Sequence, residues 1–289
     1  MSSIGRLQRR IAEASNRQAL QAIVERRVLG SSGQKYLNVV GRPSAPHPFL
    51  EWEGILAFAH RGGMSEAPEN TLEAFQHAVD LGYTFLETDV HLTADGVLAA
   101  FHDVDLERTC GIASKIQDLT WNQLSEARVD GTHPIPRFID LLEAFPDARI
   151  NVDCKSDDAL QPLISLLSER DCLDRICVGS FSDRRLRAVR KAFGTQVCTS
   201  LGPVETTRLT TGAPTPQGAF AAQVPPRAGK VPVVTERFVA RAHRRGLQVH
   251  VWTIDDPAEM ERLLDLGVDG IMTDQPEVLK DVLQRRGLW

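Results

Sequence analysis

From Ile55 to the C-terminus the chain alternates short apolar runs with amphipathic stretches. Strand-like runs fall at 55–60, 83–90, 97–102, 148–154, 175–181, 196–201, 219–224, 247–253 and 268–273. Apolar residues recur at helical spacing in 70–81, 137–145, 157–170, 183–193, 236–245, 256–266 and 276–286. Strands alternating with helices of this length predict βαβ units around a parallel sheet. The strand candidates exceed an eight-stranded barrel by one. The surplus is 97–102, which follows the hairpin-type turn signal Asp95-Gly96 and is expected to lie beside the second strand. An open doubly wound sheet competes, but no GxGxxG turn follows the first strand, and polar residues end too many strands. The expected fold is therefore a TIM (β/α)8 barrel over residues 51–289. Residues 103–136 carry no strong period.

The first 50 residues read differently. Ile4, Leu7, Ile11, Leu20, Ile23 and Val24 recur at helical spacing, with Arg6, Arg9, Arg10, Arg17, Arg26 and Arg27 on the polar side against Glu13 and Glu25. A basic amphipathic helix can lie on a membrane surface. This one lacks Trp and Phe, which favours packing on the barrel or on a second subunit in a homodimer. Gly30-Ser31-Ser32-Gly33 and the stretch Gly41 to Pro48 punctuate the chain as linker.

Charge and cysteines narrow the classes. The net charge is −5, and no helix-turn-helix pattern, zinc-finger spacing or basic block marks the main body, so nucleic acid is not an expected partner. Cys110, Cys154, Cys172, Cys177 and Cys198 are odd in number and form no CxxC pair, which suits reduced packing thiols. No apolar run is long enough to span a bilayer and no signal-peptide core is visible, so the expectation is a cytoplasmic protein.

The candidate chemistry concentrates between Leu56 and Asp103. His60 and His102 each end an apolar run, and Glu87 and Asp89 lie two apart on a strand, where they share a face while Thr88 turns away. Polar groups at the C-terminal ends of successive barrel strands build an active site. Like charges on one face are costly without a cation.

His60-Arg61-Gly62, Pro68-Glu69-Asn70-Thr71, Glu87-Thr88-Asp89-Val90, Asp95-Gly96 and His102-Asp103, in this order, resemble the glycerophosphodiester phosphodiesterases. The likeness continues through Asn151 to Lys155, Val251-Trp252-Thr253 and Gly267 to Asp274, and covers nearly everything from about Pro48 onward. The resemblance implies metal-dependent hydrolysis of a glycerophosphodiester to sn-glycerol 3-phosphate and an alcohol. It also implies a small insertion after His102-Asp103, at about 104–136.

Cleaving such a monoanion near neutrality requires charge neutralisation, an activated nucleophile and a proton for the leaving oxygen. His60 and His102 are the expected base and acid. Glu87, Asp89 and Asp153 are hard oxygen donors for one divalent cation, Mg²⁺ or Ca²⁺. Arg61 and Lys155 are expected on the phosphate. The family usually carries Glu-x-Lys where this chain has Asp153-Cys154-Lys155, so the third ligand is one methylene short and is open to a water-mediated contact. Asn70 reads equally as a phosphate contact or as a helix N-cap. Trp252, with Phe181 and Gln223 as further strand-end candidates, is expected at the mouth, where its ring can wall the alcohol. His47, His77, His91, His133, His243 and His250 receive no role. The competing functions are a lysophospholipase-D or sphingomyelinase-D type enzyme acting on lipids, and a non-catalytic phosphate-binding barrel.

Overall fold

A computed structural model describes residues 47–289. The expected N-terminal helix lies outside the described residues. Eight parallel strands form the barrel: β1 Leu56–His60, β2 Phe85–Leu92, β3 Arg149–Cys154, β4 Ile176–Gly179, β5 Cys198–Ser200, β6 Ala219–Val224, β7 Gln248–Val251 and β8 Gly270–Thr273. They pair in chain order, and β1 pairs with both β8 and β2, which closes the sheet. The ninth strand, Leu98–Ala100, runs antiparallel to β2, with Val90 opposite Ala100. It sits where the Asp95-Gly96 turn predicts it.

A helix follows each strand: α1 Leu72–Asp80, α2 Phe138–Ala144, α3 Asp157–Ser168, α4 Asp183–Phe193, α5 Pro203–Thr211, α6 Glu236–His243, α7 Pro257–Asp265 and α8 Pro276–Arg285. Most start on a side-chain cap, as when Thr71 accepts a hydrogen bond from the Ala74 amide at 3.2 Å. The apolar pattern does not announce α5. Its Thr206, Thr207, Thr210 and Thr211 are poor helix formers, and the segment is held by tertiary contacts instead. Glu205 makes a buried ion pair with Arg190 of α4 at 2.8 Å. Asp183 accepts hydrogen bonds from the Val204 and Glu205 amides.

The inward faces of the strands fill the barrel. Leu56, Phe58, Phe85, Cys177, Cys198 and Met272 cluster with Phe49 and Leu50 from a short 3₁₀ turn, Pro48–Leu50. A barrel beginning at residue 51 leaves Phe49 and Leu50 outside it, yet both are buried in its core. Arg149 donates to the Phe49 and Glu51 carbonyls, and Gln248 to that of Leu50, which pins this plug. Only glycine fits at 270, where a Cβ would lie 2.9 Å from both the His250 ring and the Leu56 carbonyl oxygen.

The segment after His102 is a small unit with its own core. Leu106, Ile116, Leu124, Val129 and Ile135 pack with Ala99 and Phe101. Two short antiparallel pairs, Asp105–Leu106 with Ile112–Lys115 and Arg128–Val129 with His133–Pro134, frame it. Among the described residues no helix is long and apolar enough to cross a membrane. Cys154, Cys172, Cys177 and Cys198 are buried free thiols, and Cys110 is half-buried and free.

Candidate active site

Strand register assembles the site in layers. His60 of β1 stands level with Glu87 of β2, which is level with Asn151 of β3. Two residues farther along, Asp89 is level with Asp153, and Asp153 with Gly179 of β4. Both layers open at the C-terminal end of the barrel into a cavity of ≈ 440 Å³. His60, Arg61, Glu87, Asp89, His102, Asp153, Lys155, Phe181, Gln223 and Trp252 all line it.

His60 is held at Nδ1 by Asp274 Oδ1, 2.6 Å away, and its Nε2 lies 3.7 Å from Glu87 Oε2. Burial by itself would lower the pKa of this ring, but Glu87 and Asp274 outweigh it and the net direction is upward. His102 is held in the same way, with Nδ1 2.6 Å from Oδ1 of Asp103. Adjacent residues on a strand would face apart; this pair meets because the chain has left the strand at Ala100.

The carboxylates are strongly differentiated. Burial, reinforced by the nearby charge of Asp89, pushes Glu87 up to about 7. Burial acts on Asp89 as well, but Lys155 at 2.7 Å and Arg61 at 3.3 Å override it and hold that carboxyl below its ordinary range. Asp153 is raised, chiefly by burial, although its Oδ2 meets Lys155 Nζ at 2.8 Å. Its Oδ1 is buried with no hydrogen-bond partner among the described residues. An orphaned, buried carboxylate oxygen beside two further carboxylates is a donor set that suits a hard divalent cation. Among the described residues, however, no group of three or more His, Cys, Asp or Glu converges closely enough to hold a metal. Lys155 bridges Asp89 and Asp153 instead, so its ammonium sits among the proposed ligands rather than apart from them.

Asn70 is neither a cap nor a wall of the cavity. Thr71 caps α1, while buried Asn70 donates to Asp89 Oδ2 at 3.4 Å and accepts from the Thr88 hydroxyl at 2.7 Å. Arg61 and Asn70 both adopt left-handed backbone, with φ of 53° and 56°, and the Asn70 amide donates to the Arg61 carbonyl at 2.8 Å. Such conformations are uncommon outside glycine and concentrate at functional sites. Trp252 directly follows β7 and meets Phe181 edge to face at 5.6 Å. The charged groups come from β1–β3 and their loops, whereas the facing wall, with Phe181, Leu201, Val224, Val233, Trp252 and Met272, is largely apolar.

The sequence profile of the glycerophosphoryl diester phosphodiesterase family matches residues 60–278. The chain belongs to the glycerophosphoryl diester phosphodiesterase family. A Mycobacterium tuberculosis protein named "Probable glycerophosphodiester phosphodiesterase 2" is 38% identical over 251 residues, covering 83% of this chain and 95% of its own. A Rattus norvegicus lysophospholipase D is 28% identical over 268 residues, covering 78% and 85%. The crystal structure of a glycerophosphodiester phosphodiesterase from Thermotoga maritima superposes with a TM-score of 0.65 at 26% identity, covering 80% of this chain and all of that one.

Three residues near the histidines have no role in the sequence reading: Asp274, Glu69 and Arg108. Asp274 closes the last strand's motif and was legible as a strand-end carboxylate. Glu69 stands inside the Pro68-Glu69-Asn70-Thr71 motif. Arg108 lies in the patternless segment and carries no sequence signal.

Proposed function

We propose that the chain hydrolyses a glycerophosphodiester to sn-glycerol 3-phosphate and an alcohol, with His60 as base and His102 as acid. Family membership makes it a glycerophosphodiester phosphodiesterase; the proposal concerns which groups do the work. One observation carries it: two histidines, each held at Nδ1 by a carboxylate, line one cavity with the carboxylates of Glu87, Asp89 and Asp153. The Nδ1–H of each ring donates to its carboxylate, so Nε2 is the nitrogen left for proton transfer. His60 Nε2 takes the proton of the attacking hydroxyl as its oxygen bonds to phosphorus: water gives glycerol 3-phosphate directly, whereas the substrate's own glycerol hydroxyl gives a cyclic glycerophosphate that a water then opens. The bond from phosphorus to the alcohol oxygen breaks, and His102 Nε2 supplies that oxygen's proton. Asp103, held near a pKa of about 2 because Arg108 and His102 overcome its desolvation, is anionic and supports the imidazolium of the acid.

Glu87, Asp89 and Asp153 would hold one divalent cation, Mg²⁺ or Ca²⁺, which when bound neutralises phosphate oxygens and acidifies the attacking hydroxyl. Arg61 and Lys155 add fixed positive charge at the same end of the cavity. Asn70 keeps Asp89 aimed from behind.

The test measures glycerol 3-phosphate release from glycerophosphocholine, with and without a chelator, by the wild type, His60→Ala and His102→Ala. Each histidine variant should lose about 10²–10⁴ in kcat. On a glycerol diester with a nitrophenol leaving group, His102→Ala should recover most of its rate and His60→Ala should not. Full activity after exhaustive chelation, or an unimpaired histidine variant, refutes the assignment. The apolar wall favours one second reading, in which a lysophospholipid places its chain there. A higher kcat/KM on lysophosphatidylcholine than on glycerophosphocholine would select it.

A further inference from the structure

Arg108 is the only residue of the inserted segment, among the described residues, that joins the ion pairs around the cavity's charged end. It stands on the short helix Glu107–Cys110. That helix is fixed by the antiparallel pair on either side of it and by a hydrogen bond from the Asp130 amide to the Thr109 carbonyl at 2.9 Å. Its guanidinium serves two carboxylates at once. Nε donates to Asp103 Oδ2 at 2.6 Å, while Nη1 and Nη2 donate to Glu69 Oε2 and Oε1 at 2.8 and 2.7 Å. Asp103 uses its other oxygen on His102 Nδ1. Glu69, nearly buried, also receives Arg61 Nη1 at 3.0 Å.

We propose that Arg108 is a positioning residue for the reaction: anchored on Glu69, it clamps Asp103 so that the other Asp103 oxygen fixes the ring of His102. The inference rests on the reading of His102 as the acid. Three features support it. Asp103 and His102 are sequence neighbours beyond the end of a strand, and no strand pairing holds either side chain. The His102 side chain is 33% exposed, against 13% for His60, so packing restrains it less. A planar five-donor fork is also the side chain that can hold two carboxylates in fixed relation, which a lysine ammonium does less well. Arg61 has its own contacts to Glu69 and Asp89, which do not run through Arg108. The role is therefore to orient the acid rather than to bind phosphate, and Arg108 does not line the cavity.

The test compares Arg108→Ala, Arg108→Lys, Asp103→Ala, the Arg108→Ala/Asp103→Ala double variant and His102→Ala on two substrates. One is glycerophosphocholine and the other a glycerol diester with a nitrophenol leaving group. Disturbing an orienting partner typically costs about 10–100-fold. Arg108→Ala should lose about that much kcat on glycerophosphocholine, keep KM within about threefold, and retain most of its rate on the nitrophenyl ester. Arg108→Lys should fall between it and the wild type. The double variant should be no slower than Asp103→Ala alone, because the two act through one ring. Equal losses on both substrates, additive losses in the double variant, or wild-type kcat for Arg108→Ala overturns the inference. Should Arg108→Ala misfold by thermal melting, the Arg108→Lys rates on the two substrates decide in the same terms. If His102→Ala shows leaving-group selectivity and the Arg108 variants do not, only the positioning role falls. If no variant shows it, the acid assignment falls and takes the positioning role with it.

Discussion

Glu87 is the residue at which stability and function should part most clearly. Its carboxyl is buried beside Asp89, and burial first, then that neighbouring charge, pushes it from the ordinary 4.5 up to about 7. A carboxyl raised in the folded state holds its proton there after the unfolded chain has released it. Between pH 4.5 and about 7 the folded form therefore binds more protons, and this group makes stability fall as pH rises. Above pH 7 the penalty is complete. At about 1.4 kcal/mol for each pKa unit it reaches about 3 kcal/mol. Glu87→Gln removes the charge and keeps an acceptor for the Arg61 amide, 3.2 Å from Oε2. The attraction to His60, Lys155 and Arg61 is already contained in that shift, but the two amide hydrogens of the glutamine must be accommodated in a buried site, so the net gain should be about 1–2 kcal/mol. For a domain of this size that is about 2–8 °C in melting temperature.

The assay is thermal unfolding of both proteins in a chelator at pH 8 and pH 5. The variant should melt higher at pH 8, and the gap should shrink towards zero at pH 5, where Glu87 is protonated in the folded wild type. Millimolar Mg²⁺ or Ca²⁺ should raise the wild type at pH 8 and raise the variant less, because a ligand stabilises only the state it binds. The variant should have lost its activity. A variant no more stable than the wild type at pH 8 in chelator, or a gap indifferent to pH, would refute the reasoning.

Two further outcomes follow from particular contacts. Asp274→Asn removes one of the two carboxylates that hold the His60 pKa up; kcat should fall about 10–100-fold, and the acidic limb of kcat/KM should move to lower pH, read from a pH–rate profile. Deleting residues 1–45 should leave an active barrel, whereas deletion through Leu50 removes the buried plug of Phe49 and Leu50. The second cut should lower stability by several kcal/mol, about 2–5 for each large side chain, as measured by urea unfolding.

The barrel was legible because its strands and helices alternate with clean periods, and the Asp95-Gly96 turn disclosed which strand was surplus. What stayed hidden depends on contacts between distant residues. Helix α5 is rich in threonine and owes its existence to Asp183 and Arg190, about twenty and fifteen residues upstream. Phe49 and Leu50 sit among prolines and glycines that read as linker, and only the strand cluster they plug reveals their burial. The same holds in the site. His60, Glu87, Asp89, His102 and Lys155 stand at strand ends or just beyond, where alternation and motif order locate them. Asn70 lies where a cap was plausible, and only the fold puts its amide on Asp89. Arg108 comes from a segment with no period, so its reach to Asp103 and Glu69 could not be foreseen.

The charged end of the cavity also explains why its carboxylates tolerate one another. Asp89 has Lys155 and Arg61 beside it, and it alone of the three cavity carboxylates is held below its ordinary range. Asp153 shares the same lysine through one oxygen and leaves the other without a partner. Glu87 has His60 at 3.7 Å and a backbone amide. Two of the three carboxylates are thus displaced towards their protonated forms, a condition that costs stability at neutral pH and would be relieved by positive charge placed between them. Arg108, Glu69 and Asp103 form a paired network that meets this unbalanced one through Arg61. The first network holds side chains still, and the second is left electrostatically unsatisfied. That division is expected of a site where orientation must survive turnover while charge is supplied afresh by what binds.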